Sequence, residues 1–99
     1  MGSKLIIEPK AQEEIDTAIA WYESKQVGLG EVFLNYLDGY FQTLKNEKAL
    51  FEIKRNPVFR EVPLKRFPYI IIYEEYQNRV IVYSVFNTHR DPIKKSNNN

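Results

Sequence analysis

The chain has 99 residues, a formal net charge of +1, no cysteine and one histidine. Its hydrophobic content of 43% and aromatic content of 14% suffice for one cored domain and argue against disorder. Disulfides, thiolate zinc sites and multi-histidine metal sites are excluded, and no apolar run approaches the ~20 residues that span a bilayer.

The N-terminus has no long apolar stretch followed by a small-residue cleavage site, so it does not read as a secretory signal. The cytoplasm is the expected location, and no cofactor or metal is expected. Charge is unevenly spread. Residues 1–50 carry five Lys and eight Asp/Glu, a net −3, whereas residues 51–99 carry nine Lys/Arg and five Asp/Glu, a net +4. An anionic partner would dock on the C-terminal half. The imbalance is still mild beside that of a dedicated nucleic-acid binder.

In chain order, Lys4 to Glu8 reads as a short strand stopped by Pro9. Proline suits the first turn of a helix, because the N–H it lacks would be unpaired there anyway. Ala11, Ile15, Ala18, Ile19 and Tyr22 then follow helical spacing. Glu13, Glu14 and Asp16 fall in the early turns, where the helix dipole favours negative charge. Gly28 is the expected stop.

A second helix carries the clearest period in the chain: Leu29, Val32, Phe33, Tyr36, Leu37, Tyr40, Phe41 and Leu44 fit the i, i+3, i+4, i+7 template. Gly39 lies inside it, where glycine costs about 1 kcal/mol against alanine; close packing against a neighbouring element is the expected reason. The short Gln26-Val27-Gly28 connection implies an antiparallel helical hairpin.

Phe59 to Leu64 reads as a strand with Val62 and Leu64 on one face, and Pro63 places it at a sheet edge. Tyr69 to Tyr76 and Arg79 to Phe86 are two further strands, rich in β-branched and aromatic residues. Gln77-Asn78 between them reads as a tight hairpin turn. The polar tail Ser96-Asn97-Asn98-Asn99 is expected to fray, as is the stretch 1–3. The whole reads as a single α+β domain over 1–99. Its order is β-α-α-β-β-β, with a helical hairpin packed on a small, mainly antiparallel sheet.

The ordered motifs carry a resemblance. Trp21-Tyr22-Glu23 closes the first helix, and Gly28-Leu29-Gly30-Glu31 with Phe33-Leu34 opens the second. Arg60 precedes the turn Arg66-Phe67-Pro68-Tyr69, and His89-Arg90-Asp91-Pro92 ends the last strand. Together they resemble the RelE/ParE toxin superfamily, above all its ParE-like and plasmid-stabilisation members, over nearly all of residues 4–95. The resemblance implies a toxin of a type II toxin–antitoxin system, neutralised by a cognate antitoxin segment lying across sheet and helices. A homodimer or a toxin–antitoxin hetero-oligomer is compatible with it.

The superfamily has two target classes, DNA gyrase and the mRNA on the ribosome. Metal-free RNA cleavage needs an acid, a base and cations on the phosphorane. Here His89 would supply acid–base chemistry, Arg60, Arg66 and Arg90 the cations, and Glu61 a partner carboxylate. The nuclease branch, however, tends to place an arginine where this chain has Tyr69, and a tyrosine or a histidine–tyrosine pair where His89 is followed by Arg90 and Asp91. The resemblance therefore points to a ParE-like gyrase inhibitor rather than an endoribonuclease, with a non-toxic binding module of the same fold as a third reading. The expected partner- or target-binding set is Arg60, Arg66, Tyr69, Tyr73, His89 and Arg90.

Plainer roles exist for each motif. His89 would bond a strand end, Arg90-Asp91-Pro92 would be a charged turn, and Lys94-Lys95 a solvated tail. Arg60 and Arg66 would pair with Glu61, Glu74 or Glu75 at about 0–1 kcal/mol each. Trp21 and Tyr22 would pack the hairpin. The stripe Phe33-Tyr36-Leu37-Tyr40-Phe41 would be core, with any exposed part free to receive an antitoxin helix.

Overall fold

The computed structural model describes residues 4–46 and 59–89. Six elements follow the predicted order: β1 (Lys4–Ile7), α1 (Pro9–Lys25), α2 (Leu29–Asn46), β2 (Phe59–Pro63), β3 (Tyr69–Tyr76) and β4 (Arg79–Asn87). The sheet order is β1-β4-β3-β2. β1 lies parallel to β4, and the other two pairings are antiparallel. β2 is an edge strand, which is where a strand holding Pro63 can sit without breaking a ladder. Gln77 and Asn78 both take positive φ, 48° and 64°, the backbone of a type I′ hairpin turn.

Both helices bury one face on the same side of the sheet. Ala11, Ile15, Ala18 and Tyr22 of α1 and Phe33, Leu37, Phe41 and Leu44 of α2 meet Val62, Tyr69, Ile71, Tyr73, Val80, Val82 and Val85. The opposite sheet face presents Ile6, Ile70, Ile72, Ile81 and Phe86, all half-buried. On that face Phe59 stacks edge-on against Tyr83 at 5.2 Å. The Tyr83 hydroxyl donates to Glu74 at 2.6 Å, and this bond pushes the phenol up to about 12.

Two expectations from the sequence are corrected. First, no acidic residue stands in the first turn of α1, so the dipole argument does not apply there. Glu14 instead reaches across to β4, accepting from Ser84 Oγ at 2.8 Å and Val85 N at 2.9 Å. β1 stops at Ile7, opposite Val82, so among the described residues the β4 edge on that side has no strand partner beyond Val82. A β3–β4 register shift falls beside the same stretch, between Ile72 and Tyr73. Glu14 thus supplies an acceptor that the short β1 cannot.

Second, Gly39 is not packed against a neighbouring element. A Cβ there would meet nothing within 4 Å. The tightly packed glycine of α2 is Gly30, whose Cβ would stand 2.8 Å from the Ile19 carbonyl oxygen and 3.0 Å from Glu23 Oε1. Val32 fits the helical template and is 44% exposed, on the outward side of α2. Residues 1–3, Arg90, Asp91-Pro92, Lys94-Lys95 and 96–99, to which the sequence assigned roles or fraying, lie outside the described residues.

Candidate partner-binding surface

The surface is built around the turn that precedes β3. Phe67 plugs the gap between helices and sheet: its ring lies 5.1 Å from Tyr22, 5.0 Å from Phe33 and 5.4 Å from Tyr36. Two of those contacts are edge-on, the geometry that aromatic quadrupoles favour. Backbone bonds close the turn, with Leu64 N donating to Tyr69 O at 2.9 Å and Tyr69 N to Phe67 O at 2.8 Å. Thr88, just past β4, donates its N–H to Pro68 O at 2.8 Å. The aromatic-proline turn is therefore anchored to α1, α2 and β4 together.

Tyr36 of α2 is the latch. Its hydroxyl accepts from the backbone N–H of Lys65 at 3.3 Å and of Arg66 at 3.1 Å, and shares a hydrogen bond with the Tyr40 hydroxyl at 3.2 Å. The Arg66 guanidinium sits over the Tyr36 ring, 5.4 Å from its centroid. The bond to Tyr40, the two loop amides and the Arg66 charge lower the Tyr36 pKa, whereas burial and Tyr36 itself raise that of Tyr40. Beside this pair runs an open groove of about 400 Å³ lined by Asn35, Tyr36, Gly39, Tyr40 and Thr43. Lys65 and Arg66 are both exposed.

The residues singled out from sequence do not converge on one point. Arg66 and His89 belong to the end of the sheet where β3 begins and β4 ends. Arg60 pairs with Tyr73, four register positions further along, or roughly 13 Å at the usual rise per strand residue. It is held there by Glu75, Nη1 to Oε1 at 2.8 Å, with both side chains about three-quarters buried. Glu75, rather than Glu61 or Glu74, is the partner. His89 is exposed; its backbone N–H donates to Asn87 Oδ1 at 2.7 Å, and among the described residues its imidazole has no partner.

Tyr69 and Tyr73 are core residues, 3% and 0% exposed, so their rings join the sheet to the helices instead of facing outward. Among the described residues neither hydroxyl finds a hydrogen bond of good geometry. Burial pushes Tyr73 up, and the neighbouring Arg60 guanidinium opposes that shift. Trp21 and Tyr22 do pack the hairpin: Tyr22 stacks on Phe33 at 5.2 Å, and Lys25 covers the Trp21 ring at 4.9 Å. Among the described residues no three of His, Asp and Glu gather into a group able to hold a metal ion.

A family model described as the ParE toxin of type II toxin-antitoxin system, parDE, matches residues 5–92. The chain belongs to the ParE toxin family. Membership makes it a toxin-family component of a type II toxin–antitoxin pair, which implies an antitoxin partner. Among solved structures this ParE-family chain is similar to the chromosomal ParDE toxin–antitoxin system from P. aeruginosa. The TM-score is 0.73 at 13% identity, covering 86% of this chain and 95% of that one; at such identity the likeness is one of fold. A search of curated proteins finds no match. Among the described residues no helix is long and apolar enough to cross a membrane.

Sequence reasoning missed two residues of this surface. The helical period alone places Tyr36 in the core stripe, and nothing local reveals that its hydroxyl meets the backbone of Lys65 and Arg66. Glu23 accepts from Gly28 N and Gly30 N, both at 2.9 Å, clamping the hairpin that carries the surface. A carboxylate five and seven residues before two glycines was the available signal.

Proposed function

We propose that this ParE-family chain is a cytoplasmic toxin that acts by binding, as a gyrase inhibitor, and that its cognate antitoxin neutralises it by covering the α2 and turn surface. The observation that carries this reading is the separation of the groups a nuclease would need. An acid or base must reach the reacting proton, directly or through one water, and the charged groups must surround one phosphate. Arg60 is engaged by Glu75 on the edge strand, while Arg66 and His89 stand at the sheet's far end. What is assembled instead is a rigid aromatic turn with two exposed cations beside an open groove.

The test is induction without antitoxin. Growth should stop with an SOS response, and the purified protein should inhibit DNA supercoiling by gyrase. Primer extension on cellular mRNA should show no codon-linked breaks; such breaks would establish the endoribonuclease reading, and normal growth the non-toxic one. His89→Ala should leave toxicity within about twofold, whereas loss of a true general acid or base lowers rate by roughly 10²–10⁴-fold.

A further inference from the structure

The face of the sheet turned away from the helices carries a row of side chains that crosses all four strands. The register sets Phe59 of β2 opposite Glu74 of β3, and Glu74 opposite Ile81 of β4. Tyr83 stands two residues beyond Ile81. β1 ends with Ile7 opposite Val82, which brings Glu8 beside Tyr83. The contacts agree with the register. Tyr83 donates its hydroxyl to Glu74 Oε1 at 2.6 Å, and Phe59 meets the Tyr83 ring at 5.2 Å with the two planes at 76°. Glu8 acts on the same hydroxyl through its charge. The two rings form a corner, with a carboxylate on the β1 side and another on the β3 side of Tyr83.

Among the described residues neither Glu8 nor Glu74 has a cation partner. Glu8 is the N-cap of α1 by position, yet its side chain makes no cap bond. Glu75, one residue from Glu74 and on the helix side of the sheet, is by contrast held by Arg60. By strand alternation the remaining charges of the outer face are Glu61, opposite Ile72, and the exposed pair Lys4 and Arg79 beside the β3–β4 turn. Arg79 precedes Ile81 by two residues, so the cations fringe one end, about 7 Å from the level of Glu74. The middle of the face stays negative. Half-buried Ile6, Ile72 and Ile81 surround the row, and Phe59 is 37% exposed.

We propose that this row is a docking face for the basic surface of a protein partner, with one lysine or arginine side chain laid over the Phe59–Tyr83 corner and its charge between Glu8 and Glu74. The proposal rests on the gyrase-inhibitor reading, under which the partner is the DNA-holding surface of that enzyme. Proteins hold DNA with Lys and Arg aimed at phosphates, and a carboxylate row competes for the same side chains. The ring faces attract the cation, and the isoleucines receive its aliphatic stem. The acids repel nucleic acid, which favours a protein as the ligand. The row lies across the sheet from both helices, clear of the α2 and turn surface assigned to the antitoxin.

The test uses the purified full-length chain, purified gyrase and the purified antitoxin encoded by the reading frame beside it. Affinity for each partner is measured by calorimetry, inhibition of supercoiling is followed in parallel, and melting of the toxin alone shows that each variant is folded. The double variant Glu8→Gln, Glu74→Gln keeps side-chain size and an acceptor for Tyr83. It should lose about tenfold or more in gyrase affinity at low salt, with a much smaller gap in strong salt. Glu8→Gln alone, which removes no bond of the fold, should cost about threefold and keeps the test open if the double variant unfolds. Phe59→Leu keeps apolar bulk without the ring face and should cost about two- to fivefold. Antitoxin affinity should stay within about twofold throughout. Glu13→Gln, exposed on α1, should change nothing.

Unchanged gyrase affinity in the folded double variant or in Glu8→Gln overturns the docking row and leaves the gyrase reading intact. An equal loss of antitoxin affinity also overturns it, since the row would then belong to the antitoxin's interface. An unaltered chain that neither binds nor inhibits gyrase overturns the reading itself, and the row with it.

Discussion

Glu23 holds the helical hairpin closed from a position that looks like plain solvated surface. Its carboxylate accepts two backbone N–H groups freed where α1 ends and α2 begins, and those bonds lower its pKa below the ordinary 4.5. A depressed folded pKa means the stabilisation is fully present above about pH 4.5 and is lost as the pH falls through the lower folded value. The melting temperature of Glu23→Ala should therefore lie below that of the unaltered protein at neutral pH. The gap should close as the solution is acidified below pH 4.5, and a gap that stays constant through that range would dismiss the clamp. The carboxylate also touches the tight spot at Gly30, where a Cβ would collide with the Ile19 carbonyl, so one residue fixes both the turn and the helix spacing.

At the scale of elements, α2 does two jobs on two faces. Its inner face, Phe33, Leu37, Phe41 and Leu44, is fully explained by a 3.6-residue period of apolar residues. Its flank, Tyr36 and Tyr40, fits the same period but only half enters the core, and the polar end of Tyr36 grips the loop before β3. Tyr36→Phe keeps the ring beneath Arg66 and removes the acceptor. Amide exchange at Lys65 and Arg66 should quicken and stability should fall by only about 0.5–1.5 kcal/mol, the range for one solvent-accessible hydrogen-bonding group. If the Tyr36 hydroxyl positions the basic rim, antitoxin affinity should fall by more than the small stability loss would lead one to expect. Periodicity located this helix and its core face well. It treats Tyr36 and Val32 as ordinary members of the pattern because a period reports facing, and facing does not say what stands opposite.

At the scale of the molecule, the sheet is completed by a side chain. β1 is four residues long and ends at Ile7, so among the described residues β4 runs on with no strand on its β1 side, and Glu14 from α1 takes over as acceptor for Ser84 and Val85. Glu14→Ala would leave a buried hydroxyl and a backbone N–H without that partner, a loss of about 1–3 kcal/mol by urea unfolding. Glu14→Gln, which keeps an acceptor oxygen, should lose less; equal stability of Glu14→Ala and the unaltered protein would refute the role. The same contact ties α1 to the last strand, so loosening it should also loosen the Phe67–Pro68 turn, which Thr88 of the β4 end holds by two bonds to Pro68 O. The positive groove rim and the sheet's half-buried apolar face are products of this assembly, since Lys65, Arg66 and α2 meet only after the turn has docked.

The amino-acid order alone determined which segments become helices and strands, the Gln77-Asn78 hairpin and the edge position of β2. These depend on spacing, proline and turn chemistry within about a dozen residues, so the information is local. Only the tertiary structure decided that Glu14 serves β4, that Tyr36 serves the loop, that Arg60 is held by Glu75 apart from His89, and that Gly30 rather than Gly39 is the packed glycine. Each of these turns on which atoms close packing brings within about 3 Å across long sequence separations, and two glycines in one helix carry no local mark of the neighbour that each will meet.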